Sequence, residues 1–342
     1  MLRLGLIGIG WAGQRQIRAT AELGGRIEVA AVADNDGEHL SKTASTLGID
    51  TVYSRLDDLL ADNRIDAVSI CTPHALHKPM AVAAAGAGKH ILVEKPMALT
   101  VEEATEMIRA ARRNNVKLYV AENWVYSPMS RHLREIVATG MHIGELTAAS
   151  YVWGFQAENY GYPGRRAWLG QPELGGTGTW MLHGIHSMAR LRYILGDVSV
   201  VYLQEHHSSR FLRPDVEGTV SGLFTLESGA HLSILHSCEL KLKGPVAGLM
   251  LHGQRGSIHA REDGYVVYGD GSDGEPAIRA YPTSPLSDYA LELAAFADYI
   301  EDDKVGPTTG ISERRTLSIV QAGYESIDSG LPIDLYERFG EL

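Results

Sequence analysis

Apolar positions along the first third of the chain fall into short continuous runs, separated by longer stretches in which they recur at helical spacing. Short strand-like runs lie at Leu2–Ile7, Arg26–Ala33, Asp66–Cys71, His90–Glu94 and Lys117–Ala121. Between them, Gln14–Leu23, Glu38–Leu47, Ala75–Ala85 and Val101–Arg113 carry the helical pattern. Thr100 ahead of Val101-Glu102-Glu103 has the N-cap and capping-box signature of a helix start. Strands alternating with helices of this length predict βαβ units, and so a doubly wound parallel sheet with helices on both faces over residues 1–123.

The rhythm breaks after Asn123. Strand-like segments follow at Leu146–Trp153, Val198–His206, Thr219–Leu226, Ala230–His236, Ala247–His252 and Tyr265–Tyr268, with turn signals such as Glu227-Ser228-Gly229 between them. Helical patterns lie at Pro128–Thr139, Gly184–Leu195, Leu286–Glu301 and Ser312–Ser329. Residues 124–342 therefore predict an α+β domain built on a large, open, mostly antiparallel sheet with flanking helices. A length of 342 residues suits two domains.

Charge narrows the partners. Lys and Arg number 31 against 42 Asp and Glu, a net charge of −11, and no basic run stands out. Nucleic acid and anionic membrane surfaces are poor partners for such a chain. No apolar stretch approaches the roughly 18 residues of a membrane span. Met1–Ile7 reads as a strand and not as a leader, so a cytoplasmic protein is expected. Two cysteines, Cys71 and Cys238, cannot staple a chain this long. Cys71 reads as a small buried residue.

The first strand runs into Gly8-Ile9-Gly10-Trp11-Ala12-Gly13 and then a helix. In this pattern the first glycine permits a tight turn and the second lets the backbone approach a pyrophosphate. The third lets helix and strand lie close, and the helix N-terminus supplies N–H donors. The next strand ends at Asp34, where an acid accepts hydrogen bonds from ribose hydroxyls and repels a 2′-phosphate. Asn35 and Asp36 follow, with no neighbouring cation to neutralise that phosphate, so NAD is favoured over NADP. The competing reading makes Asp34 a cap for the following helix.

Gly88-Lys89-His90-Ile91-Leu92-Val93-Glu94-Lys95-Pro96, together with this fingerprint, resembles the glucose-fructose oxidoreductase / inositol dehydrogenase (Gfo/Idh/MocA) family. Cys71-Thr72-Pro73-His74-Ala75-Leu76-His77 matches its Thr-Pro-x-x-x-His segment, and Ala322-Gly323-Tyr324-Glu325-Ser326 its C-terminal pattern. The resemblance implies a Rossmann domain followed by an open-sheet domain that packs between subunits, hence a homodimer or homotetramer. It casts Lys95 beside the nicotinamide, hydrogen-bonded to the reacting substrate oxygen. Glu94 is implied at the nicotinamide ribose, Pro96 as a cis-proline, and Thr72, Pro73 and His77 along the cofactor. His77 has a second reading as a structural histidine at a helix start. A lysine at a parallel strand's carboxyl end also points into the crevice where such sheets bind ligands, and its charge stabilises a developing alkoxide.

Gly175–His186 corresponds to the family's second-domain helix, whose usual pattern is a Gly-rich turn followed by Asp-x-Gly-x-His. Gly184 and His186 match, which makes His186 the implied general base, but Leu182 stands where the aspartate is expected. His183 is adjacent without being an automatic replacement, since consecutive helical residues point about 100° apart. It is kept as a substrate contact, or with His186 as a buried histidine pair. Metal is not expected, because neither HExxH nor a cysteine cluster is present. Asn123 is expected on the nicotinamide side; Tyr126 contacts substrate or packs the domain junction. Trp153–Trp168 is rich in aromatics and includes Arg165 and Arg166; Trp168 is its substrate candidate.

Together these residues imply an NAD-dependent oxidoreductase acting on a secondary alcohol or ketone of a sugar, polyol or related ring. Two alternatives stay open: an NAD-using glycoside hydrolase or lyase with transient oxidation, and a catalytically reduced NAD-binding regulatory protein.

Overall fold

The computed structural model of the chain describes residues 1–155, 167–169, 171–175, 178–207, 216–242, 246–269 and 277–341. In chain order the first elements are β1 (Leu2–Ile7), α1 (Trp11–Thr20), β2 (Ile27–Ala33), α2 (Gly37–Leu47), β3 (Val52–Tyr53) and α3 (Leu56–Leu60). Next come β4 (Ala67–Ile70), α4 (His77–Gly86), β5 (His90–Glu94), α5 (Val101–Arg113), β6 (Leu118–Ala121) and α6 (Pro128–Thr139). Then follow β7 (Leu146–Gly154), α7 (Ile185–Leu195), β8 (Val198–His206), β9 (Thr219–Leu226) and β10 (His231–Ser237). The chain ends through β11 (Gly248–Gly253), β12 (Ser257–Arg261), β13 (Gly264–Tyr268), α8 (Asp288–Glu301), α9 (Gly310–Ser329), β14 (Ile333–Asp334) and α10 (Leu335–Phe339). Two compact units result: one holds Met1–Tyr126, Glu173–Gly175 and Pro285–Leu317, and the other holds the rest.

The first unit is built on a six-stranded sheet in the order β3-β2-β1-β4-β5-β6, with every pair parallel. Its central strands are apolar on both faces, as helices on both sides require: all of Ala67–Ile70 is buried. On α5 the Thr100 hydroxyl accepts from the Glu103 N–H at 3.2 Å, and the Glu103 carboxylate reaches back to the Leu99 N–H at 3.1 Å. Val101, Ala104, Met107, Ile108 and Ala111 make its buried stripe. The strand order reverses between β1 and β4, so the loops after these two strands splay apart at the carboxyl edge, where open α/β sheets take their ligands. Helix α8 returns late in the chain to pack against α1, and Phe296 on it is fully buried, 6.0 Å from the Tyr119 ring.

The second unit carries an eight-stranded sheet in the order β13-β12-β11-β7-β10-β9-β8-β14. It is antiparallel apart from the β7–β10 pair, which is parallel. Its inner face carries Val201, Leu203, Val220, Phe224, Leu232 and Ile234, all buried. Among the described residues, no helix is long and apolar enough to cross a membrane.

Truncating Phe296 to Ala removes a fully buried ring and should destabilise the protein by about 3–5 kcal/mol. Val305→Ala, at an exposed position, should change stability by less than about 0.5 kcal/mol. Urea denaturation of the two variants checks the contrast.

Candidate functional site

In the first unit the site grows from the turn after β1. Gly8 has φ +86°, and a Cβ there would stand 2.7 Å from the Cys71 carbonyl oxygen. A Cβ on Gly13 would run into the Gly8 carbonyl oxygen and the Leu6 side chain. At Gly10 a Cβ would meet nothing, so the loop faces open space at the N-terminus of α1. That N-terminus has no side-chain cap and no acidic residue in its first turn, which leaves its N–H groups and partial positive charge available to an anion. Trp11 is exposed at its start, with the Arg15 guanidinium 4.0 Å above the ring, and Ala12 follows in the same turn.

Asp34 is buried at the end of β2. One carboxylate oxygen accepts from the Ile9 N–H at 3.1 Å and the other from the Asp36 N–H at 3.0 Å. The cap of α2 is Asp36, which accepts from the His39 N–H, so Asp34 is not the capping residue. Its charge is fixed beside the glycine turn.

The loop after β4 faces that turn. Thr72 and Pro73 are partly buried in it, and His77 is fully buried at the start of α4. The His77 ring lies between two backbone carbonyls, with Nδ1 2.9 Å from Pro96 O and Nε2 2.9 Å from Thr72 O. Burial holds its pKa below the usual histidine value, so the neutral ring donates to one carbonyl at a time. His77 thereby ties the β4 loop to the carbonyl of Pro96, the residue that follows the cis Lys95–Pro96 bond. His74, also buried, lies with Nδ1 3.1 Å from the Gly175 carbonyl; burial first, then His77 and Lys95, keep it neutral.

Glu94 ends β5 directly before Lys95. It accepts from the Gln16 amide of α1 at 3.0 Å. Burial pushes its pKa up to about 7, against the opposing pull of Lys95 and the Gln16 hydrogen bond. Glu122 follows β6 and accepts from the Trp124 N–H at 3.2 Å. Asn123 is partly buried in the 3₁₀ turn Asn123–Tyr126. Tyr126 is buried, with its hydroxyl 2.6 Å from that of Tyr119 and 3.1 Å from that of Thr308. The first unit thus gathers the glycine turn, Asp34, Thr72, Pro73, His77, Glu94 and Lys95 along one sheet edge.

In the second unit a π-helical turn, Trp180–Gly184, precedes α7 and carries His183; His186 lies in the first turn of α7. A buried carboxyl anchors the turn. Glu217 accepts from the Trp180 N–H at 2.7 Å and from the Tyr324 hydroxyl at 2.9 Å, and that hydroxyl accepts from the Met181 N–H at 3.1 Å. The Trp180 indole N–H donates to Val320 O at 3.1 Å. Gly184 and Gly323 have no Cβ because the Trp180 ring fills that space, and Gly178 gives way to the Glu217 carboxyl.

His183 is partly buried, its ring 5.0 Å from Phe155 and 5.7 Å from Trp153. Leu182 is buried in an apolar cluster with Leu169 and Cys238, against which Phe155, Trp168 and Val216 pack. Behind them His236 is fully buried, stacked 4.5 Å from Trp153, with Nδ1 3.3 Å from the Ser187 hydroxyl. Burial, and repulsion from a protonated His186, push its pKa down to about 3. Arg165 and Arg166 lie outside the described residues. Among the described residues, no group of His, Cys, Asp and Glu side chains could hold a metal ion.

Sequence reasoning missed His236, Glu217, Glu122 and Glu292. His236 had a signal, since alternation along β10 puts it on the inner face with Leu232 and Ile234. Glu292 had one too, as it shares a helix face with Phe296 four residues on. Glu217 follows a segment without periodicity, and nothing local marked it.

A family model described as "Oxidoreductase family, NAD-binding Rossmann fold" matches residues 2–122, and one described as "GFO/IDH/MocA C-terminal domain" matches residues 130–259. The 1,5-anhydro-D-fructose reductase of Ensifer adhaerens is 32% identical over 318 residues, covering 91% of each chain. The scyllo-inositol 2-dehydrogenase (NADP(+)) of Bacillus subtilis is 26% identical over 341 residues, covering 98% of this chain and 99% of its own. A levoglucosan dehydrogenase solved with NADH and levoglucosan shares the fold, with a TM-score of 0.86 at 24% identity over 98% of this chain and 99% of that one.

Glu217→Ala strips the π-helical turn of its acceptor and should cost about 2–4 kcal/mol of stability, with Glu217→Gln recovering most of it. Denaturant titration of both variants checks this.

Proposed function

The chain belongs to the Gfo/Idh/MocA family and is an oxidoreductase acting on CH–OH groups; from that premise we propose that it is NAD-dependent and works on a secondary alcohol or ketone of a sugar, polyol or related cyclic substrate. The observation that carries the proposal is the uncapped N-terminus of α1 behind an open glycine turn, in the same unit as Lys95 at the end of β5. When bound, the nicotinamide supplies the acceptor or donor of a hydride. The N–H groups of the Gly8–Gly13 turn hold the pyrophosphate, and Asp34 takes the ribose hydroxyls and disfavours a 2′-phosphate. Thr72, Pro73, His77, Glu94 and Asn123 serve the cofactor side.

The Lys95 ammonium orients the reacting oxygen and stabilises negative charge as it develops there. His186 holds the hydroxyl proton on its imidazole during oxidation and returns it during reduction. Tyr126, Trp168 and His183 are proposed on the substrate side. A second reading draws on Leu182: where the family pattern has a carboxylate, this chain has an apolar cluster. That favours a protein that binds NAD without net turnover, either a regulator or an enzyme with transient oxidation.

Absorbance at the nicotinamide band, followed with NAD and a panel of sugars, polyols and anhydrosugars, separates the readings. The dehydrogenase reading expects substrate-dependent NADH, with kcat/KM lowered about 10²–10⁴-fold by Lys95→Ala and by His186→Ala. Bound cofactor without net NADH on any panel member, at full protein integrity, supports the second reading.

A further inference from the structure

Helix α8 places a carboxyl group where nothing in the sequence motifs calls for one. Glu292 is fully buried, and among the described residues neither of its oxygens has a hydrogen-bond partner. The groups that act on it are Glu94 at the end of β5, Glu122 after β6, and Asp288 on its own helix. A charge on Glu292 would act on Cys71 after β4, Tyr119 on β6, Tyr126, and Tyr289 one turn back on α8. Cations enter from two sides, with Lys95 acting on Glu94 and the Arg15 guanidinium 5.9 Å from the Tyr289 ring. Glu94 pairs with Ala121 across β5 and β6, one residue before the fully buried Glu122, and α8 packs against the Asn123–Tyr126 turn that follows, so three carboxyl groups from three elements converge at the edge that holds Lys95.

Two fully buried carboxylates and a partly buried third, with one lysine adjacent, cannot all stay charged; protons must neutralise some of them. Burial and its carboxylate neighbours push Glu292 well above the usual carboxylic range, so it keeps its proton. Glu94 is the member poised to titrate, at about 7. A nicotinamide differs by one positive charge between its oxidised and reduced forms, and Glu94 adjoins the residue assigned to that ring.

We propose that the partly buried Glu94 and the fully buried Glu122 and Glu292 form a proton-holding cluster that ties the charge of the bound nicotinamide to one proton, with Glu94 releasing it and Glu292 retaining its own. The inference rests on the cofactor reading above. When oxidised cofactor binds, the Glu94 carboxyl loses its proton to solvent; when reduced cofactor replaces it, the carboxylate takes a proton back. The sign follows from linkage. Ionised Glu94 attracts the oxidised ring, so the preference for NAD⁺ over NADH is full above about pH 7 and fades as pH falls through that value.

NAD⁺ and NADH titrations of the full-length protein, by calorimetry or fluorescence between about pH 6 and about pH 8, test it without a known substrate. If Glu94 titrates one unit lower with NAD⁺ bound than in the free protein, the NAD⁺ preference rises about fivefold across that range. Glu94→Gln should flatten this dependence. Glu292→Gln, which copies the protonated side chain, should keep it while removing the infrared carbonyl band of a protonated buried carboxyl. A flat preference in the wild-type protein overturns the inference. So does a Glu292→Gln variant that loses the dependence, or the absence of that infrared band above neutrality. Failure to bind either cofactor at any pH overturns the NAD reading itself, and this inference with it.

Discussion

A backbone-to-backbone approach at the first turn is the constraint on which the first unit depends. Gly8 lies so close to the Cys71 carbonyl, and Gly13 to that of Gly8, that neither α-carbon has room for a methyl group. Strand β1, strand β4 and helix α1 therefore meet at contact distance, and the N-terminus of α1 projects over the reversal point of the sheet. Asp34 then fastens the same turn from the other side through the Ile9 N–H. The site is rigid because its parts are joined through main chain, where a shift in one must move the next.

The same edge is held together by polar groups that burial keeps neutral. His77 links Thr72 to Pro96 and His74 meets Gly175, and burial keeps both imidazoles uncharged. Had either ring carried a proton's charge, it would oppose Lys95 within the same few ångströms of low-dielectric space. Sequence spacing alone could not decide between a structural and a cofactor-side role for His77. Its position shows the structural role: between the Pro96 and Thr72 carbonyls, the ring joins the β4 loop to the residue that follows Lys95.

What was legible in the sequence was what is local. The glycine turn, the strand rhythm and the Thr100 cap each depend on neighbours within a few residues, and each is found where the pattern puts it. The parallel β7–β10 pair was not legible, because strands from distant stretches of the chain can align either way without altering their alternation. The π-helical turn was equally hidden. It exists because Trp180 needs the space left by Gly184 and Gly323, and because Glu217 binds its first N–H, all contacts made after the chain has folded. The return of Pro285–Leu317 to the first unit brings Glu292 under Glu94 from nearly two hundred residues away.

Leu182 poses the remaining chemical question, and the second unit answers part of it. The family pattern that the chain resembles has a carboxylate one turn before His186, at the position of Leu182. Here that position is sealed into an apolar cluster, and the nearby buried carboxyl, Glu217, is engaged with the backbone of the turn and with Tyr324. His236, on which His186 acts, is kept neutral by burial and so offers a protonated His186 no ionic attraction. A leucine at this position can neither take a proton nor hold an imidazolium by charge, so the turn carries His186 without the carboxylate of the family pattern.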